Sequence, residues 1–142
     1  MPELPEVETV ARDLRPKLVG ATIVGARTNW VRTLRSQDPG AFADGVTGRT
    51  VEAVGRRAKL VVVDLTGEAA LTIHLKMTGQ IFVVPADWPE DAYIRLVCEE
   101  MIPTVAKQKL ATSCRRKREV CGICEQLLLL PHDQIAKAIY PA

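Results

Sequence analysis

Four strand-like stretches, set apart by Gly and Pro, constrain this chain more than any other feature. Ala21–Thr28 is short and half apolar, and Thr50–Leu65 carries the β-branched run Val61–Val63. Ala70–Val84 is broken at Met77-Thr78-Gly79, and Tyr93–Val97 is the fourth stretch. β-Branched side chains fit a pleated, half-buried surface. Punctuation at Pro39-Gly40, Gly45 to Gly48, Gly67 and Pro85 to Pro89 places turns between the stretches. Ahead of them, Val7, Val10, Ala11, Leu14 and Leu18 recur at helical spacing, which predicts an amphipathic helix over 5–19. Pro5 suits its first turn, Glu6 and Glu8 its positive dipole end, and Gly20 its stop, while Pro16 shortens or bends it. One helix followed by turn-linked strands predicts a mixed α/β (α+β), mainly β fold: an antiparallel β-sandwich or barrel with helical decoration. The alternation ends at Cys98. Residues 104–118 are basic and polar. Residues 119–139 read as weakly helical, with Leu127–Leu130 stopped by Pro131 and Asp133 as a cap. The tail is therefore expected to be weakly helical or disordered.

The length of 142 residues suits one ordinary domain. Hydrophobic residues at 47% and charged residues at 25% exclude a largely disordered chain. The longest purely apolar runs, Leu60–Val63 and Leu127–Leu130, fall far short of the roughly 20 residues of a membrane-spanning helix. The acidic, Pro-rich start is unlike a signal peptide, so a soluble intracellular protein is expected. Residues 1–100 hold 12 Lys/Arg against 14 Asp/Glu, whereas residues 101–142 hold 7 against 3. All four cysteines (Cys98, Cys114, Cys121, Cys124) lie in the last third. Aromatic residues, at 4%, are too few for a broad base-stacking surface.

The sharpest chemical feature is the amino terminus. Pro2 is small enough to permit removal of Met1, which exposes a secondary amine. An α-amino group titrates at about 7.7–8.0, against about 10.4 for Lys, so roughly a tenth is free base at neutral pH. Such an amine attacks a sugar or aldehyde carbon and forms an iminium, with Glu3 beside it to move protons. A plainer reading stands next to this one: Pro2 and Glu3 simply lead into the helix. The same pairing of readings holds elsewhere. Lys59, after Arg56-Arg57, is either a reactive amine or a solvated cation. Arg56 and Arg57 are phosphate contacts or surface charge. His74 is a hydrogen-bonded strand histidine, and Met77 fills a core gap or acts as an apolar wedge.

Met1-Pro2-Glu3-Leu4-Pro5-Glu6-Val7-Glu8-Thr9-Val10 resembles the opening of the formamidopyrimidine-DNA glycosylases. Leu18-Val19-Gly20-Ala21-Thr22-Ile23 is similar to that family's helix-to-strand junction. Gly55-Arg56-Arg57-Ala58-Lys59-Leu60 resembles the segment carrying its catalytic lysine, and His74-Leu75-Lys76-Met77-Thr78-Gly79-Gln80 the strand-turn carrying its DNA-probing methionine. The four motifs occur in family order over residues 1–97. The resemblance implies the family's N-terminal catalytic domain over 1–97, extending to about 100, and base-excision repair as the activity. It implies a bifunctional glycosylase/AP lyase in which Pro2 displaces an oxidised purine such as 8-oxoguanine from C1′. Glu3 and Lys59 then serve proton transfer, and Arg56, Arg57, His74 and Met77 contact DNA. The implied partners are damaged double-stranded and abasic-site DNA, with the protein a monomer and no membrane involved. Base flipping is required, because the target atom is otherwise stacked in the duplex.

The resemblance stops near residue 98. Family members are about twice as long and carry an arginine–phenylalanine loop, a helix–two-turn–helix module and a zinc ribbon, none of which is legible here. The family's DNA-contacting histidine has no counterpart in Pro89-Glu90-Asp91-Ala92-Tyr93. Cys121-Gly122-Ile123-Cys124 is half of a ribbon, and the spacings to Cys114 and His132 are unusual for zinc, so unligated thiols and no metal or other cofactor are expected. Arg115-Arg116-Lys117-Arg118 is a solvated basic run or a phosphate contact. Residues 98–142 thus read as a divergent basic tail, of the kind a frameshift or truncation within a longer gene produces. The competing functions are a catalytically inert relic and a small DNA-binding module acting through the basic tail.

Overall fold

The computed structural model describes residues 4–28, 33–34, 37–75, 79–91, 93–101, 107–114, 127–131 and 133–135. Helix α1 (Leu4–Leu18) buries the expected stripe, Val7, Ala11, Leu14 and Leu18, each at most 5% exposed. Pro16 lies inside its last turn, and the helix still reaches Leu18. Gly20 leaves it at φ 92°, a left-handed conformation open to glycine, and its N–H donates to the Val51 carbonyl at 2.9 Å. The chain turns there into β1 (Thr22–Thr28).

A short helix, α2 (Pro39–Val46), occupies what the Pro-Gly punctuation marked as a turn. The Asp38 side chain accepts from the Ala41 N–H at 3.0 Å, and Pro39 sits at the start, where its missing N–H costs nothing. Phe42 and Val46 then bury its inner face. Asp-Pro followed by spaced apolar residues is a helix-start signal, and Gly40 and Gly45 obscured it.

The long stretch at 50–65 is a hairpin of β2 (Val51–Arg57) and β3 (Leu60–Leu65), with Arg57 opposite Leu60. The two-residue turn is Ala58-Lys59, with Ala58 at φ 52°. No glycine or asparagine announces it. The remaining strands are β4 (Ala69–His74), β5 (Gly79–Pro85), β6 (Ile94–Met101), β7 (Lys107–Cys114) and β8 (Leu127–Pro131). They form two four-stranded antiparallel sheets, ordered β1-β6-β7-β5 and β2-β3-β4-β8. The expected helix-plus-sandwich architecture is present. One apolar cluster, including Leu18, Ile23, Val61, Leu71, Ile73, Leu96 and Leu110, draws on both sheets and α1.

The tail expectation needs correction. Strand pairing continues past Cys98: β7 lies inside the first sheet between β6 and β5, and β8 closes the second against β4. Leu127–Leu130 is therefore strand, not weak helix. The polar appearance of β7 hid it, because Lys109, Thr112 and Ser113 are buried there, Lys109 at 4% exposure. Its ammonium is matched by the Glu90 carboxylate at 2.8 Å, which allows a charge to sit inside a sheet.

Candidate active site and nucleic-acid interface

Register places the described candidates Arg56, Arg57, Lys59 and His74 at one end of the sandwich. The Ala58-Lys59 turn joins β2 to β3, and Leu60, just after it, pairs with His74 at the end of β4. Leu75 follows, and the Gly79 N–H donates back to its carbonyl at 2.8 Å, closing the segment that holds residues 76–78. Gly79 opens β5 opposite Cys114, the last residue of β7, and Leu127 opens β8 opposite Ile73.

Helix α1 delivers its N-terminus here as well. Arg15 Nε donates to the Val54 carbonyl at 2.9 Å, and Arg56 Nε meets Glu8 Oε2 at 3.3 Å. The helix therefore runs antiparallel to β2, and its first residues point toward the Lys59 turn. Glu8 lies about 6 Å along the axis from Leu4, at 1.5 Å per residue.

Lys59 and Arg57 are exposed at the turn. Arg56 is 31% exposed and engaged twice, with Glu8 and, through an Nη at 3.0 Å, with the Ala58 carbonyl. A surface ion pair of this kind is worth little and readily exchanges for a phosphate. His74 is 5% exposed and has an interaction partner. Pro2, Glu3, Met77, Cys121, Cys124, His132 and Arg115–Arg118 lie outside the described residues.

The opposite end has the opposite charge. Glu52, Asp64, Glu68 and Asp133 line a groove of about 550 Å³ beside the β3–β4 turn. Among the described residues no cluster of three or more His, Cys, Asp or Glu could hold a metal. Cys98 is fully buried, and burial, with a smaller contribution from Glu100, pushes its thiol far up. Among the described residues no helix is long and apolar enough to cross a membrane. The sequence reading overlooked the aromatic cluster Phe82, Trp88 and Tyr93, because nothing in local pattern brings those positions together.

The family model of the formamidopyrimidine-DNA glycosylase N-terminal domain matches residues 1–119. The formamidopyrimidine-DNA glycosylase of Chloroflexus aurantiacus is 46% identical over 100 residues, covering 70% of this chain and 36% of that protein. The one of Chloroflexus aggregans is 54% identical over 84 residues, covering 58% and 30%. The Lactococcus lactis enzyme, solved in complex with abasic-site DNA, superposes with a TM-score of 0.82 at 26% identity, covering 96% of this chain and 47% of that one. The same enzyme was also solved with DNA containing a formamidopyrimidine lesion, at a TM-score of 0.81. The chain spans about a third of the length of the curated relatives it matches. With the family model matching residues 1–119 and the sandwich superposing throughout, the chain belongs to the formamidopyrimidine-DNA glycosylase N-terminal domain family.

Proposed function

We propose that this chain performs the covalent chemistry of a bifunctional DNA glycosylase and AP lyase, with Pro2 as nucleophile. One observation carries the reading: the start of α1, the Lys59 turn, the end of β4 and the opening of β5 all meet at a single cationic end. Covalent reach keeps the Pro2 Cα within about 8 Å of that of Leu4, at 3.8 Å per residue.

In the proposed reaction the Pro2 nitrogen forms a bond to C1′, and the glycosidic C1′–N bond breaks, its electron pair leaving with the base, which takes up a proton. Opening of the sugar ring, with Glu3 giving a proton to O4′, yields the cationic iminium. The iminium acidifies the C2′ hydrogen. Its removal expels the 3′ phosphate by β-elimination, and δ-elimination expels the 5′ phosphate. Lys59 moves protons and offsets phosphate charge. Met77 enters the space left by the flipped base, while Arg56, Arg57 and His74 contribute to the DNA-facing end. The partner is damaged or abasic DNA, the molecule acts as a monomer, and the compartment is the bacterial cytoplasm.

The module proposed to carry this chemistry comprises α1 and both sheets, so residues 107–114 and 127–131 belong to it rather than to a foreign tail. Borohydride tests this directly, because it reduces the iminium to a stable amine. A covalent adduct with abasic DNA is expected, lost in Pro2→Gly and at least tenfold weaker in Lys59→Ala. Salt-sensitive binding without any adduct would replace the reading with a DNA-binding module. Neither binding nor adduct would indicate an inert relic.

A further inference from the structure

The outer face of the first sheet carries a groove that the covalent chemistry leaves unused. It encloses about 370 Å³ and is lined by Phe82, Trp88 and Tyr93 together with the polar Gln80, Asp91 and Ser113. Phe82 packs there with Ile94, Val97 and Ala111, a cluster separate from the main core. The whole sequence has six aromatic residues, so three in one groove is a concentration. Trp88 and Tyr93 remain 41% and 40% exposed, an unfavourable disposition for large apolar rings.

The surrounding polar network holds Trp88 in that position. Lys109, 4% exposed, donates from Nζ to the Trp88 carbonyl at 2.5 Å and to Glu90 at 2.8 Å. Arg27 holds the other side of Glu90 with two hydrogen bonds, at 2.7 and 2.5 Å. Asp91 Oδ1 accepts from the Tyr93 N–H at 2.8 Å, fixing the second ring's backbone. The Phe82 and Trp88 rings lie 6.2 Å apart, tilted by 32°. A locked backbone under exposed rings is a preorganised stacking platform.

We propose that this groove takes one unpaired nucleobase of the bound DNA strand, a base bearing an exocyclic amino group, stacked on Trp88. The assignment rests on the DNA-directed reading above and adds a subsite to it. Continuity supports it: Gln80 pairs with Ser113, one residue in from the Gly79–Cys114 pair that opens the catalytic end. Charge supports it too. Asp91 in the lining repels a phosphate but accepts from the amino group of adenine or cytosine, as does the Gln80 amide oxygen. Thymine has no such donor.

The chain contains two tryptophans, Trp30 and Trp88, so Trp30→Phe leaves emission from Trp88 alone. Short single-stranded oligomers of deoxyadenosine or deoxycytidine are expected to quench that emission saturably, about tenfold more tightly than oligothymidine. Trp88→Ala should weaken oligodeoxyadenosine binding, read by anisotropy, about tenfold, and Trp88→Phe should restore most of it; circular dichroism checks folding. Absent quenching, or equal affinity for oligothymidine, overturns the proposal. So does unchanged binding by Trp88→Ala. Borohydride trapping on abasic DNA run in parallel separates the failures. Trapping without quenching removes the groove alone, and loss of both removes the DNA reading as well.

Discussion

Replacing Glu100 with glutamine perturbs a charge held in the interior of the first sheet. Glu100 is 1% exposed on β6, opposite Ile23 of β1 and Gln108 of β7. Gln108 Nε2 donates to Glu100 Oε1 at 2.9 Å and to the Lys17 carbonyl at 3.0 Å, while Glu100 Oε2 has no hydrogen-bond partner among the described residues. Burial raises the carboxyl from 4.5 to about 7, outweighing the opposing hydrogen bond from Gln108. The folded state therefore keeps its proton where the unfolded chain has released it. Between pH 4.5 and about 7 the folded state binds more protons, so stability falls as pH rises and then levels off. At 1.36 kcal/mol per pH unit the loss is about 3 kcal/mol. Glutamine removes the titration but places an amide N–H₂ where Oε2 was unpartnered, at a cost of about 1 kcal/mol. Glu100→Gln is thus expected to stabilise the protein by about 2 kcal/mol at pH 8 and to destabilise it by up to about 1 kcal/mol at pH 4. Urea unfolding followed by circular dichroism at the two pH values measures both, as shifts in midpoint at constant m. The same stability change at pH 4 and pH 8 would refute the reasoning, because no other group differs between the two proteins.

Ala58→Gly should stabilise the β2–β3 hairpin by about 1 kcal/mol, since Ala58 sits at φ 52° where a Cβ is penalised; an unchanged urea midpoint would contradict this. Cys98 should resist iodoacetamide in the folded protein and react only after denaturation, which peptide mass mapping of the alkylated residue reports. Glu90 is held at about 2, first by hydrogen bonds from Arg27 and then from Lys109. Its contribution is present above the ordinary carboxylate value of 4.5 and is lost as pH falls toward 2. Glu90→Gln should therefore lower the melting temperature at pH 7 more than at pH 3, and it should loosen Trp88, read as increased acrylamide quenching.

Local pattern in the sequence determined helix α1, the strand-rich character of residues 21–97 and the four motifs. Those follow from periodicity and side-chain shape, which neighbours in the chain express by themselves. The Lys59 turn was not legible, because Ala58 is not a turn residue; the pairing of Val54 with Val63 and of Arg57 with Leu60 forces the reversal there. Strand β7 was hidden for a related reason. Lys109 reads as a surface residue until Glu90, nineteen positions away in sequence, supplies its countercharge. Strand β8 needed an edge to pair with, and β4 provides it. Arg56, Arg57, Lys59 and His74 were named by the sequence, but their meeting at one end of the sandwich was decided by register and packing: Arg57 against Leu60, Leu60 against His74, and Arg56 against Glu8. Chemistry lies in residue types, which a sequence displays. Proximity lies in long-range pairing, whose free energy depends on burial and countercharges that only the assembled sandwich supplies.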